Sequence, residues 1–375
     1  MAHTKKAPSR RSHLIILGFI STLLLAGAAF AIADKSGKFT KEYEQVFKPP
    51  VLDKALYDLK LNQLAHIIVS TSTASTTIPG MILATSSATS TPAQKPTAST
   101  TPSLWPAKTV YPNVGALLPF NRIVAYYGNF YSKSMGVLGQ YPPDVMLKML
   151  MEEVSKWQLA DPTTPVIPAL NYIAVTAQGS AGEEGLYRLR MPDDQIQKAI
   201  DLANQVNGIV FLEIQVGQST IEKELPVFDK YLALPNVHLA LDPEFSMKMG
   251  RKPGIFIGTM DATEINWAIA HVGEIVRANG LPPKIVIIHR FTENMVTNYK
   301  SILPTPDVQV VMDMDGWGTA RLKAKVYDMV ITEEPVQFTG IKLFYKNDLK
   351  TPSTGLMTTK EVLDLMPQPS YIQYQ

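Results

Sequence analysis

From Arg122 onward the chain alternates between two hydrophobic periods. Short apolar runs with a period of two read as strands at Arg122–Tyr127, Val166–Tyr172, Ile209–Gln215, Val237–Asp242, Lys284–Arg290, Val308–Asp313, Ile341–Lys346 and Tyr371–Gln375. Between them, apolar residues at helical spacing predict helices over Asp144–Leu159, Pro192–Val206, Ile221–Leu232, Thr263–Asn279, Glu293–Ser301, Ala320–Val330 and Thr359–Leu365. Strict alternation of this kind implies parallel strands joined by helical crossovers. Eight strands spread over about 250 residues have the size and order of a (β/α)8 TIM barrel, an α/β fold. The chain stops on the eighth strand, so the final helix is lacking. Trp105–Phe120 is the segment expected to cover that gap.

Side-chain parity divides each strand into residues that face the helices and residues that face the barrel interior. In Phe211-Leu212-Glu213-Ile214-Gln215 the aliphatic residues suit the helix layer, which leaves Glu213 and Gln215 inside. The same parity turns Tyr127, Asn171, Asp242, Glu244, His289, Asp313, Asp315, Lys342, Gln373 and Gln375 inward. All but Lys342, which this reading sets deeper in its strand, fall near C-terminal strand ends, the face where such barrels place their chemistry. Burying an unpaired carboxylate costs several kcal/mol. Five carboxylates converging on one mouth therefore read as a site, with a structural ion-pair network as the plainer alternative; Lys342 suits either a substrate contact or a structural partner for Glu213 or Asp242.

The N-terminal third reads differently. Lys5, Lys6, Arg10 and Arg11 in a basic stretch, residues 1–13, precede an uncharged apolar run at 14–33. Roughly 20 apolar residues suffice to span a bilayer, which predicts a signal anchor with its N-terminus in the cytoplasm and an extracytoplasmic barrel tethered to the membrane. Cleavage near Ala31 or Ala33 would instead release a secreted protein. A juxtamembrane segment, 34–68, includes a helix-forming stretch, Val51–Ala65, that reads as a solvated stalk. Residues 69–109 are dominated by Ser, Thr, Ala and Pro, a composition that cannot build a core and reads as a disordered linker. The barrel domain occupies 110–375.

Composition narrows the chemistry. The formal net charge of +2 gives no electrostatic reason to expect nucleic acid, and with no cysteines there are neither disulfides nor thiolate metal sites. No phosphate-binding glycine loop, nucleophile elbow or zinc-binding histidine spacing occurs, so no cofactor and no metal is expected. Asp242-Pro243-Glu244 and Asp313-Met314-Asp315 each place two carboxylates two residues apart beyond a strand end. Paired carboxylates are what glycoside hydrolysis uses, one protonated as acid and one ionised as nucleophile or base. Glu244 is the expected acid and Asp313 or Asp315 the opposing carboxylate, with Asp242 and Glu213 tuning them. Tyr127, Asn171, Gln215, His289, Lys342 and Gln373 are the expected substrate contacts. Trp317, between Gly316 and Gly318, joins them as a stacking surface for a sugar ring. Two long glycine-containing loops, Ile173–Met191 and Phe245–Asp261, are placed to shape the cleft.

Several stretches together carry a resemblance: Ile123–Gly128 (Ile-Val-Ala-Tyr-Tyr-Gly), Met135–Gly139, Leu239–Phe245 (Leu-Ala-Leu-Asp-Pro-Glu-Phe), Ile288–Phe291, Met312–Gly318 (Met-Asp-Met-Asp-Gly-Trp-Gly) and Gly340–Tyr345. They look like a group of uncharacterised exported, membrane-anchored bacterial proteins with a short N-terminal anchor, a variable linker and a C-terminal domain. The resemblance covers Asn121–Gln375 and implies a glycoside-hydrolase-like TIM barrel without naming a substrate. Arg290 stands where the resemblance leads one to expect Gln, and by parity it faces the helices. The combined expectation is a glycoside hydrolase acting on cell-envelope or extracellular carbohydrate, such as cell-wall glycan. A non-catalytic glycan-binding barrel and a metal-assisted phosphodiesterase are the alternatives.

Overall fold

The computed structural model describes residues 51–67 and 103–375. The basic stretch, the anchor at 14–33 and most of the Ser/Thr-rich linker lie outside the described residues. Among those described, no helix is long and apolar enough to cross a membrane.

Eight strands form the barrel: β1 (Arg122–Gly128), β2 (Val166–Ala177), β3 (Ile209–Ile214), β4 (Val237–Leu241), β5 (Lys284–Arg290), β6 (Val308–Met314), β7 (Phe338–Leu343) and β8 (Tyr371–Tyr374). Each pairs in parallel with its sequence neighbours, and β1 pairs with both β2 and β8, which closes the cylinder. Closure leaves no barrel strand with a bare edge. The parity reading holds on all eight. Val124, Leu170, Leu212, Leu239, Val286, Val310, Ile341 and Ile372 pack outward against the helices. Ile123, Ala169, Phe211, Ala240, Ile287, Val311, Phe338 and Tyr371 fill the interior.

The helix at Ala262–Asn279 shows how local sequence sets an element. Asp261 and Glu264 form a reciprocal capping box at its start, and Gly280 ends it in a left-handed conformation at φ +60°. Ile265, Ala268, Ile269, Val272 and Val276 share one face and are buried, so truncating either isoleucine to Ala would cost about 2–5 kcal/mol. The helix expected over Glu293–Ser301 is absent: 3-10 turns at Glu293–Met295 and Tyr299–Ser301 flank a short strand, Val296–Thr297, that pairs with Met260–Asp261. Buried Arg290 explains the difference. Its guanidinium donates to the carbonyls of Thr292, Glu293, Val296 and Val330 and pairs with Glu334. Backbone acceptors turned toward Arg290 are not available to a helix. The parity assignment of Arg290 to the helix side is thus correct.

Two further expectations are corrected. Trp105–Phe120 does not take the place of an eighth helix. The helix at Pro143–Ala160 reaches β8 instead, with buried Trp157 donating from Nε1 to Tyr374 Oη at 3.0 Å. The 103–121 segment seals the N-terminal end of the barrel, where Gln309 exchanges two hydrogen bonds with the Leu118 backbone, at 3.2 and 2.7 Å. Leu118 is fully buried among the interior residues, which would otherwise meet water at the open end. The helix at Lys54–Leu64 is no solvated stalk either: Tyr57 is buried and meets Phe120 edge-on, at 6.0 Å between ring centroids.

Candidate functional site

Above the apolar interior every strand contributes a polar side chain to a staggered polar layer at the C-terminal end of the barrel. They are Tyr127, Asn171, Glu213, Asp242, His289, Asp313, Lys342 and Gln373, from or immediately after β1 to β8 in order, and all are buried. β7 begins at Phe338 rather than Ile341, so Lys342 stands at the C-terminal end with the others and not deeper in the strand. The strand's first half holds Thr339 and Gly340, which give no apolar alternation to mark its start. Glycine at 340 has a reason. A Cβ there would lie 2.5 Å from Asp313 Oδ1 and 3.0 Å from Tyr371 Cδ1.

Glu213 is the centre of the layer. Its Oε1 accepts from Tyr127 Oη (3.0 Å) and Gln215 Nε2 (2.9 Å), and its Oε2 accepts from Asn171 Nδ2 (2.6 Å) and His289 Nε2 (3.0 Å). On its other side His289 Nδ1 lies 3.0 Å from Asp313 Oδ2. Burial alone pushes the Glu213 carboxyl up, but the adjacent imidazolium, Lys342 and these donors outweigh it and hold its pKa below the usual value. Burial likewise pushes His289 down, and Glu213, Asp313 and Asp315 together hold it well above the ordinary imidazole range. His289 is therefore an imidazolium donating from both nitrogens.

Over this layer opens a cavity of about 550 Å3. Among the candidate residues Tyr127, Gln215, Asp242, Glu244, Asp315, Trp317, Lys342 and Gln375 line it, whereas Glu213, Asn171, His289, Asp313 and Gln373 do not. That separates two groups the sequence left mixed. Glu213, His289 and Asp313 form a charge-paired floor, and Asn171, expected to touch a ligand, is bonded to Glu213 instead. Gln373 donates to Tyr371 Oη at 2.9 Å. Asp242, Glu244 and Asp315 are the carboxylates that face the opening.

Their environments differ. Burial, with Asp315 adding to it, pushes Glu244 up to about 7. Asp242 is held well above the carboxylate range by burial and by Glu213, Asp315 and Glu244. Its Oδ1 accepts from the Glu244 backbone N–H at 3.0 Å, which fixes the short turn that carries Glu244. Asp315 is raised by burial, but His289 and Lys342 oppose the rise, and His289 Nδ1 is 3.8 Å from its Oδ2.

The rim is aromatic. Phe245, Phe291, Trp317 and Phe344 line the cavity, and Trp317 is 55% exposed. Tyr126 and Tyr345 hydrogen-bond to each other and pack with Tyr374 on the helix side, as parity requires. Phe344 shares the inward parity of Lys342, two residues earlier, and that is the signal by which the sequence marks it. A second feature had no sequence signal. Buried Lys323 pairs with buried Asp348 at 3.2 Å and donates to the carbonyls of Gly316 (2.7 Å) and Lys342 (2.6 Å). Asp348 in turn accepts from the backbone N–H groups of Gly318 (2.8 Å) and Phe344 (2.9 Å). One ion pair thus ties the Trp317 loop to the end of β7.

Of the two long loops, the first is largely a hairpin: β2 runs to Ala177 and pairs antiparallel with Arg188–Arg190. The second is anchored at its base by the Gly258 N–H to Glu244 carbonyl bond of 2.6 Å, and a Cβ at Gly258 would lie 2.5 Å from the Pro243 carbonyl oxygen. This glycine lets the loop return directly against the turn that carries Glu244.

No family model matches the chain, and no curated protein matches it. Among solved structures it is similar to the dihydropteroate synthase of Burkholderia cenocepacia complexed with 7,8-dihydropteroate, at 10% identity over 68% of this chain and 86% of that chain, with a TM-score of 0.33. It is also similar to GH26C from Muricauda sp. MAR_2010_75, at 10% identity over 67% of this chain and 70% of that chain, with a TM-score of 0.26. Similarity this low carries no functional argument. The closed parallel barrel rests on the strand pairing itself.

Proposed function

We propose that this protein is a glycoside hydrolase acting on cell-envelope or extracellular carbohydrate, held at the membrane by the apolar segment at 14–33. The observation that carries the reading is one cavity lined by two carboxyls, both raised by burial but with different neighbours. Glu244 keeps its proton up to about pH 7, while Asp315 lies beside the His289 imidazolium and Lys342. In this mechanism Glu244 passes its proton to the glycosidic oxygen as the bond to the anomeric carbon breaks. Asp315, ionised, attacks that carbon or takes a proton from the incoming water. Asp242 holds the turn of Glu244, and the buried floor supplies fixed charge that does not reorganise during reaction. Trp317 and the phenylalanines of the rim offer flat faces for sugar rings.

The test is release of reducing ends from bacterial wall glycans and exopolysaccharides, with Glu244→Gln in parallel. Loss of the acid should lower kcat by about 10²–10⁴-fold. Retention of both proteins on one glycan without release would show a binding barrel instead, and release unaffected by the substitution would remove Glu244 from the reaction.

A further inference from the structure

We propose that the sugar held in the cavity carries a carboxylate, and that Lys342 binds it. The inference rests on the glycosidase reading and specifies its substrate as an acidic glycan of the uronic-acid type.

Lys342 is 4% exposed, yet its ammonium group makes no hydrogen bond and no ion pair among the described residues. Its Nζ sits 3.5 Å from the centroid of the Tyr127 ring and 5.2 Å from that of Phe344. Aromatic faces supply part of what an ammonium loses on leaving water, but they accept none of its three N–H bonds. The carboxylates around it act on Lys342 through their charge but none bonds to it: Asp242 accepts from Glu244 N and from Gln215 Nε2 at 3.3 Å, and Asp315 lies 3.8 Å from His289. The Glu244 side chain has no hydrogen bond or ion pair among the described residues. A ligand that completes Lys342 must bring acceptors, and an ionised one makes the stronger, shorter bonds.

The donor set also selects the kind of anion. Among the described residues Lys342 is the single cationic side chain lining the cavity, with Lys350 outside it over the Trp317 ring at 4.9 Å, and no arginine joins it. Phosphate recognition is built from several donors, such as arginine forks or converging backbone N–H groups. One ammonium above an aromatic ring matches one negative charge. A carboxylate on the sugar ring meets that condition, with the ring itself against Trp317 and Phe344.

The experiment measures calorimetric binding to the full chain carrying Glu244→Gln, which keeps the ligand intact. The probes are tetrasaccharides of glucuronate, galacturonate, mannuronate and guluronate, and the neutral gluco-, galacto- and manno-tetrasaccharides. At least one acidic tetramer should bind at least tenfold more tightly than its neutral counterpart. Adding Lys342→Met should erase that preference and Lys342→Arg should restore most of it, with both double variants melting as the Glu244→Gln parent does. Binding of neutral tetramers alone, of no tetramer, or of acidic tetramers with no dependence on Lys342 would overturn the proposal. Wild-type hydrolysis of the same panel separates the two readings. Lys342-dependent acidic binding without hydrolysis defeats the glycosidase reading only, whereas hydrolysis confined to neutral tetramers defeats the carboxylate assignment only.

Discussion

Replacing Glu244 by Gln should stabilise the protein, and only above mildly acidic pH. In the unfolded chain this carboxyl titrates at its ordinary value of 4.5, and in the folded protein it is raised to about 7. Below both values each state is protonated and the group contributes nothing. Between them the folded state binds the extra proton, so wild-type stability falls as pH rises, and above about 7 the full cost is in place. Each unit is worth about 1.36 kcal/mol, which puts that cost near 3 kcal/mol as an upper figure for a half-buried side chain. Glutamine keeps the shape without the charge, and among the described residues the Glu244 side chain has no hydrogen bond to lose. At about 2 °C per kcal/mol for a domain of this size, the variant should melt up to about 6 °C above wild type at pH 8 and within about 1 °C of it at pH 4.5. Calorimetric melts at the two pH values decide the matter. An equal shift at both, or a lower melt for the variant at pH 8, would refute the crowded-carboxyl account.

Two other substitutions probe the supports of the site. Gly340→Ala inserts a methyl group 2.5 Å from Asp313 Oδ1, and the overpacking should cost about 1–3 kcal/mol in denaturant titrations; a neutral result would mean that the floor yields easily. Asp348→Asn leaves Lys323 charged and buried without its partner, an expected loss of about 3 kcal/mol, with more frequent proteolytic cleavage in the Asp315–Gly318 loop than in wild type. Unchanged melting and cleavage would show that the ion pair does not hold that loop.

The interior-facing polar residues were legible because strand parity is a local property. A period of two decides which side chains face inward, and Tyr127, Asn171, Glu213, His289 and Asp313 follow it without reference to any other strand. The alternation of periods likewise sufficed for the order of eight parallel strands. Depth along the barrel axis was not legible. It depends on the stagger between neighbours, and so the sequence could not tell that Asp315 faces the cavity while Asp313, two residues earlier, lies beneath it against His289. The N-terminal closure by Leu118 and Tyr57, the turns that replace a helix after β5, and the Lys323–Asp348 clamp were equally hidden. Gln309, Arg290 and Lys323 each bond mainly to backbone groups, which leave no mark on side-chain pattern, and Tyr57 meets Phe120 only once the chain is folded. By itself, then, the sequence determined the barrel and the chemical character of its mouth. Tertiary packing decided which carboxyls face the cavity, because only the assembled strands set which charges are neutralised by neighbours and which remain open to it.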